Sequence, residues 1–185
     1  STYHCNIEVE SLNPGRTDMA TKTDFTTDEW EMLRDAPNLV VLAVAFAGAS
    51  GFFGSIAEAM APSGVIMEAA QGGNQLLREI CKKEEMTSSV DSIKSMAKAG
   101  GDFAVLQSDL RREAIAKSRG AVDLLRQKGS PDDVVAYRGF LLTLGDKVAN
   151  AAKEGAFLGF GGERVSEPER TLLAELADAV GAFQA

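Results

Sequence analysis

The stretch SPDDVVAYRGFLLTLGDKVANA, residues 130–151, carries the clearest helical pattern in the chain. Ser130 is a suitable N-cap, Pro131 fits the first helical position, and two aspartates follow where the helix dipole favours negative charge. Apolar residues then recur in alternating steps of three and four, the spacing of one helix face. They are Val134, Tyr137, Leu141, Leu144, Val148 and Ala151. This stretch predicts a long helix with one buried face.

Capping signals mark the starts of three more helices. Thr26 with Glu29, and Ser166 with Glu169, match the capping box, in which two residues three apart exchange hydrogen bonds. Asn74 follows two glycines and is expected to be another N-cap. The segments between these predicted helix starts contain apolar residues at near-helical spacing. They are Leu76, Leu77, Ile80, Cys81, Val90, Ile93, Phe103, Leu106, Leu110, Ala114, Ala121 and Leu125.

Proline residues mark expected helix ends in the first third of the chain. The helix that begins after Thr26 is expected to end by Pro37, because proline lacks a backbone donor and restricts the preceding residue. The apolar run 39–47 follows and fits either a helix or a strand. A second helix is predicted over 52–61, and residues 64–71 fit a short helix or a strand.

The expected fold is all-α, a compact bundle of about six to eight helices, since no alternating strand pattern with hairpin turns follows residue 72. Residues 25–185 are assigned to one helical domain. Residues 1–24 show little helical periodicity and are predicted to form a poorly structured N-terminal arm. The composition changes near Met19, so residues 1–18 are interpreted either as added or processed sequence or as a natural, loosely docked arm.

The composition excludes several classes of function. The chain has 27 acidic and 19 basic side chains and a net charge of −8, which argues against binding to nucleic acid. Cys5 and Cys81 form no Cys-x-x-Cys motif, so a reducing, cytoplasmic location is expected. One histidine with two distant cysteines does not make an ordinary zinc site. We therefore predict neither a metal nor a cofactor.

A run of 22 residues, 36–57, carries no charge and is long enough in principle to cross a bilayer. Glycine and serine interrupt its second half, and the basic flanks typical of spanning helices are missing. A buried core segment followed by a glycine-containing turn explains the same residues. We predict a core segment and no membrane association.

The same run contains a glycine-rich turn, GASGFFG at residues 48–54, between a candidate strand and a candidate helix. This arrangement resembles the GxxGxxG turn of extended short-chain dehydrogenase/reductase proteins. The resemblance implies that Gly48, Gly51 and Gly54 approach the pyrophosphate of a dinucleotide. It also implies a Tyr-x-x-x-Lys pair, which neither tyrosine of this chain begins. A nucleotide-binding oxidoreductase is kept as an alternative to a tight turn that permits close helix packing.

A second glycine-rich stretch, GAFLGFGG at residues 155–162, connects two capped helices. No Gly-Lys-Ser/Thr sequence follows, so the stretch is not a phosphate-binding loop. An apolar linker of this kind is either a buried hinge or a partner-binding loop. In the second case Phe157, Leu158 and Phe160 form an exposed apolar patch for a protein partner or a second copy of the chain.

The sequence GGERVSEPE and the leucines after it, residues 161–176, resemble the turn-and-helix signature of TerB-like tellurite-resistance proteins. The resemblance implies an all-helical, metal-associated stress protein whose acidic groups bind the metal. Gly-Gly replaces the Asp-Gly pair expected in the turn, which removes one ligand from the set offered by Glu163, Glu167 and Glu169. More broadly, the chain resembles bacterial all-helical proteins of unestablished function.

The leading interpretation is a non-enzymatic, cytoplasmic helical domain that binds a protein partner, itself or a small apolar ligand. It rests on the helix caps, the apolar stripe ending at Ala151 and the apolar linker 155–162. The remaining acidic pairs lie on predicted helix surfaces or caps, which favours solvated carboxylates over acid–base catalysis. The oxidoreductase and the TerB-like protein are the alternatives.

Overall fold

The computed structural model describes residues 16–47, 62–98, 102–154 and 165–181 of the chain. These residues form seven α-helices and a short 3-10 helix at Lys22–Asp24, and they contain no strand. The all-α prediction is confirmed. In chain order the α-helices are α1 (Thr27–Ala47), α2 (Ser63–Gln71), α3 (Gln75–Ile80), α4 (Lys83–Lys98), α5 (Phe103–Lys128), α6 (Pro131–Glu154) and α7 (Glu167–Ala179).

Helix α1 lies at the centre of the described bundle, where it contacts α4, α5, α6 and α7. It runs antiparallel to α5. Near the start of α1, Glu29 accepts a hydrogen bond from Lys128 at 2.6 Å. Near its end, the Phe46 carbonyl accepts one from Gln107 at 2.6 Å. The long apolar helix is therefore paired along its length with the longest helix described.

Helix α4 runs parallel to α1. Trp30 Nε1 donates a hydrogen bond to Glu85 at 2.9 Å, and further along both helices Ser92 donates one to Asp35 at 3.2 Å. Two parallel neighbours cannot be joined by a tight turn, because the chain must first return to the starting end. Helices α2 and α3 lie within that return.

Pro37 does not end the first helix, so that prediction is wrong. Helix α1 continues through the buried Pro37 to Ala47, and residues 39–47 are helical. Proline has no N–H to donate to the carbonyl four residues earlier, which belongs to Leu33. The hydroxyl of Tyr137 on α6 donates to that carbonyl instead, at 2.8 Å in the buried core. The side chain of a distant helix therefore supplies the hydrogen bond that the proline removes.

The predicted helix starts are confirmed. A side-chain oxygen of each N-cap accepts the backbone N–H three residues later: Thr26 from Glu29 at 3.3 Å, Asn74 from Leu77 at 3.0 Å, Ser130 from Asp133 at 3.1 Å and Ser166 from Glu169 at 3.4 Å. Residues 64–71 form a helix, α2, rather than a strand. The helix predicted over 52–61 lies outside the described residues.

The predicted apolar stripes form the core. On α6 the buried members are Val134, Tyr137, Leu141, Leu144 and Val148, and on α5 they are Leu110, Ala114, Ala121 and Leu125. Phe103, Leu106 and Ala151 are half-buried. Val90 on α4 is the exception, because 40% of its surface is exposed although Ile93 on the same helix is buried.

The carboxylate of Asp133 joins three distant parts of the chain. Its Oδ2 accepts hydrogen bonds from the Ala20 backbone N–H at 2.8 Å and from the backbone N–H and hydroxyl of Ser130 at 2.9 and 2.8 Å. Its Oδ1 accepts one from the Asn74 amide at 3.0 Å. Since Asp133 is fully buried, these bonds fix the entry to α1 and the starts of α3 and α6 against one another.

The described part of the predicted N-terminal arm, residues 16–24, lies against the bundle. The Arg16 guanidinium binds Asp24 at 2.7 Å and the Lys128 carbonyl, at the end of α5, at 3.2 Å. The hydrogen bond from Arg16 lowers the pKa of Asp24 to about 2. Ala20 is fully buried. Residues 16–24 therefore pack against the helices, and residues 1–15 of the predicted arm lie outside the described residues.

Candidate ligand-binding cavity

An apolar cavity of about 410 Å³ lies between α1, α2, α4 and α5. Two polar side chains line it, Asn38 from α1 and Lys94 from α4. A large apolar wall with a few polar groups is typical of small-molecule sites, which have volumes of about 300 to 1,000 Å³. The apolar wall includes Val41, Leu42, Phe46, Ile66, Ile93 and Leu110.

The cavity exists because the second half of α1 is apolar on every side. Val40 and Val44 are buried in the core, whereas Val41 and Leu42 are only half-buried and line the cavity. An amphipathic helix would present polar residues on that second face. The uncharged residues 36–47 thus form a core segment, as predicted, and also one wall of the cavity.

Asn38 lines the cavity and carries a buried donor without a partner. Its Nδ2 atom is buried and has no hydrogen-bond partner among the described residues. A buried donor without a partner destabilises the folded state by about 1 to 3 kcal/mol, so native structures retain few of them. Because this Nδ2 atom has almost no accessible surface, it lies behind the cavity wall rather than on it.

Lys94 contributes a cation at the opening of the cavity. Its Nζ atom lies 3.8 Å from Asp91 Oδ1, and both side chains are largely exposed. An exposed ion pair of this kind contributes about 0 to 1 kcal/mol to stability. The ammonium group can therefore leave Asp91 for a ligand at little energetic cost.

A cluster of charges around the buried Asp35 lies about one helical turn before Asn38. Asp35 is 1% exposed, and its carboxylate is 2.9 Å from Arg34 Nε and 3.4 Å from Lys117 Nζ. Ser92 donates a further hydrogen bond to it at 3.2 Å. Glu85 on α4 also interacts electrostatically with Arg34, so cations and carboxylates alternate in this polar layer.

The buried thiol and hydroxyl groups described below do not supply an ionised nucleophile. Burial raises the pKa of the Cys81 thiol to about 12, so the thiol is protonated at neutral pH. Burial, together with the negative charge of Asp35, raises the pKa of Tyr137 well above its ordinary value. The buried hydroxyls of Ser89 and Ser118 have no hydrogen-bond partner among the described residues. None of these four side chains lines the cavity.

The glycines of the dinucleotide interpretation, Gly48, Gly51 and Gly54, lie outside the described residues. Residues 39–47, which would have to form the strand in front of them, are the end of α1. Of the helix and the strand considered for residues 39–47, the helix is therefore the one formed. The strand that the dinucleotide interpretation requires is not formed there.

The linker residues Phe157, Leu158 and Phe160 also lie outside the described residues, so their partner-binding role stays a prediction. Of the acids in the TerB-like stretch, Glu169 is buried and its Oε2 accepts the Ser166 backbone N–H and hydroxyl, each at 2.7 Å. Within the described ranges, no group of three or more metal-ligating side chains comes together. None of the helices described there has the length and hydropathy to cross a bilayer.

Sequence reasoning did not single out the residues of the cavity. One signal was present, since Asn38 is a polar amide directly before the apolar run 39–47. The exposure of Val90 becomes visible only in the structure. The signal at Asn38 gives no position without the neighbouring helices, because the wall combines residues from four of them.

Comparison with known proteins does not identify a family for this chain. None of the family models, curated proteins or solved structures compared with the chain matches it. The interpretation of the cavity therefore rests on the residues of this chain.

Proposed function

We propose that the protein binds a small, predominantly apolar ligand in the cavity between α1, α2, α4 and α5. The observation that carries this proposal is the cavity itself, with a volume of about 410 Å³ and an almost wholly apolar wall. Transfer of apolar surface from water into such a site contributes about 25 cal/mol per Å². Small-molecule binding was one of the three modes of action expected from the sequence.

The chemistry of the wall supports binding rather than catalysis. The described residues that line the cavity include no carboxylate, imidazole, hydroxyl or thiol group. General acid–base catalysis needs a group that can gain or lose a proton within hydrogen-bond reach of the substrate, and a lysine amine is also such a group. Lys94 is the only titratable side chain among these lining residues, and its neighbour Asp91 lies outside the wall.

Blocking the opening of the cavity is expected to prevent binding. Val90 lines the cavity and is 40% exposed, so Val90→Trp places an indole at the opening without disturbing the buried core. N-phenyl-1-naphthylamine, a neutral fluorescent probe, is expected to bind the unsubstituted protein saturably. Its affinity for the variant is expected to fall by about tenfold or more, equivalent to about 1.4 kcal/mol.

The matched control is Val135→Trp, because Val135 is 68% exposed on α6 and does not line the cavity. This variant is expected to bind the probe as the unsubstituted protein does, and far-UV circular dichroism checks that both variants remain helical. Equal affinities for the two variants, or no saturable binding to the unsubstituted protein, would contradict the proposed function.

A further inference from the structure

We infer that helix α2 is a movable wall of the binding site, so that the site accepts apolar ligands larger than the cavity of about 410 Å³. This inference rests on the proposed function and specifies the size range of the ligand. The observation behind it is a second cavity, of about 330 Å³, that lies between α2, α3 and α6. Helix α2 therefore has open space on two of its faces.

The two cavities lie on nearly opposite sides of α2. Ile66 lines the proposed site, and Glu68 lines the second cavity. Successive helical residues point about 100° apart, so these two positions differ by about 200° around the helix. The far wall of the second cavity is α6, which contributes Ala136 and Gly139. A shift of α2 away from the ligand site therefore moves it into the second cavity.

Helix α2 is held less firmly than its neighbours. None of its nine residues is buried, whereas α3, with six residues, buries Leu76, Leu77 and Ile80. Among the described helices, its main contacts are with α3 and α6. An element with little buried apolar surface needs less free energy to move than the core does. Helix α2 can therefore shift while the core helices stay in place.

The C-terminal end of α2 provides a pivot. Gly72 and Gly73 separate it from α3, whose start is fixed by the hydrogen bond from the Asn74 amide to Asp133 at 3.0 Å. Gly73 is exposed, and apart from its chain neighbours a Cβ atom there would meet nothing within 4 Å. The Arg78 guanidinium binds both glycine carbonyls, at 2.8 and 3.0 Å, through a long side chain that can follow them. The glycine pair can therefore change its backbone angles without a steric clash.

The chain length of a ligand distinguishes a movable wall from a rigid one. Affinity rises about fourfold for each CH₂ group that a site buries, and the rise stops when the site is full. For a movable wall, that limit depends on the room between α2 and α6. For a rigid wall it does not, because none of the described residues that line the proposed site belongs to α6.

The test fills the second cavity with Gly139→Phe. Gly139 lines that cavity, and a Cβ atom there would meet nothing within 4 Å, so the ring can enter it. Even-numbered 1-alkanols from 1-hexanol to 1-dodecanol are titrated against protein loaded with N-phenyl-1-naphthylamine, and displacement of the probe gives each affinity. In the variant, the rise in affinity is expected to stop at a shorter chain. The longest alcohol that still gains affinity in the unsubstituted protein is expected to bind the variant about tenfold more weakly.

The matched control is Val135→Phe, since Val135 lies one turn earlier on α6, is 68% exposed and does not line either cavity. It is expected to leave the length limit unchanged. Thr143→Phe fills the second cavity from the next turn of α6 and is expected to shorten the limit as Gly139→Phe does.

Two results would overturn the inference while the proposed function stands. One is a length limit that neither cavity-filling variant changes. The other is an equal loss of affinity for all chain lengths, because a movable wall affects the long chains selectively. Failure of the unsubstituted protein to bind the neutral probe overturns both the inference and the proposed function.

Discussion

Replacement of Asp133 by alanine is expected to lower the free energy of unfolding by about 3 to 5 kcal/mol. The carboxylate is fully buried and accepts four hydrogen bonds, from Ala20, Ser130 and Asn74. Without it, the backbone N–H groups of Ala20 and Ser130 lose their shared acceptor inside the protein. Urea denaturation followed by circular dichroism measures the loss.

Asp132→Ala is the matched control, since Asp132 is the preceding residue of the same helical turn and is exposed. Removal of its carboxylate is expected to lower the free energy of unfolding by only about 0.3 to 1 kcal/mol, because it loses only the interaction of a first-turn acid with the helix dipole. Amide hydrogen exchange gives a local measurement, because the Ala20 N–H is expected to exchange faster in the Asp133 variant. Equal destabilisation by the two substitutions would show that the hydrogen-bonded junction contributes little.

Tyr137→Phe is expected to lower the free energy of unfolding by about 1.5 to 3 kcal/mol. The substitution keeps the buried ring and removes the hydroxyl that donates to the Leu33 carbonyl at 2.8 Å. That carbonyl has no helical donor of its own, because the residue four positions later is Pro37. Denaturant unfolding of the variant and the unsubstituted protein measures the difference.

A double-mutant cycle with Pro37→Ala separates this hydrogen bond from ring packing. Alanine at position 37 restores a backbone N–H opposite the Leu33 carbonyl, so the hydroxyl of Tyr137 becomes less important. In the Pro37→Ala background, Tyr137→Phe is then expected to lower the free energy of unfolding by about 1 to 2 kcal/mol less than it does in the presence of Pro37. Additive effects of the two substitutions would show that the proline and the tyrosine are independent.

Local signals in the sequence predicted the helix starts correctly. The caps at Thr26, Asn74, Ser130 and Ser166 depend on hydrogen bonds between residues three apart, which spacing alone reveals. The apolar stripe of α6 could also be predicted from the sequence, because a helix face is defined by the spacing of residues within one segment. Fold class follows from such local patterns.

Interactions between distant segments could not be read in this way. Pro37 indicated a helix end because the donor that replaces its missing N–H at the Leu33 carbonyl, the Tyr137 hydroxyl, comes from another helix. Asp133 was recognised as a first-turn acid, but its bonds to Ala20 and Asn74 connect segments that only the fold brings together. The cavity depends on the parallel placement of α1 and α4, which no single segment specifies.

The central position of α1 has a consequence for synthesis of the chain. A ribosome adds about 5 to 20 residues per second, and roughly a hundred residues separate the end of α1 from the end of α6. About 5 to 20 seconds therefore pass between completion of α1 and completion of the helix that provides its Tyr137 contact. During that interval the apolar surface of α1 has no α6 to cover it, and the Leu33 carbonyl has no hydroxyl to bind. We therefore expect nascent chains to be most prone to aggregation before α6 is complete.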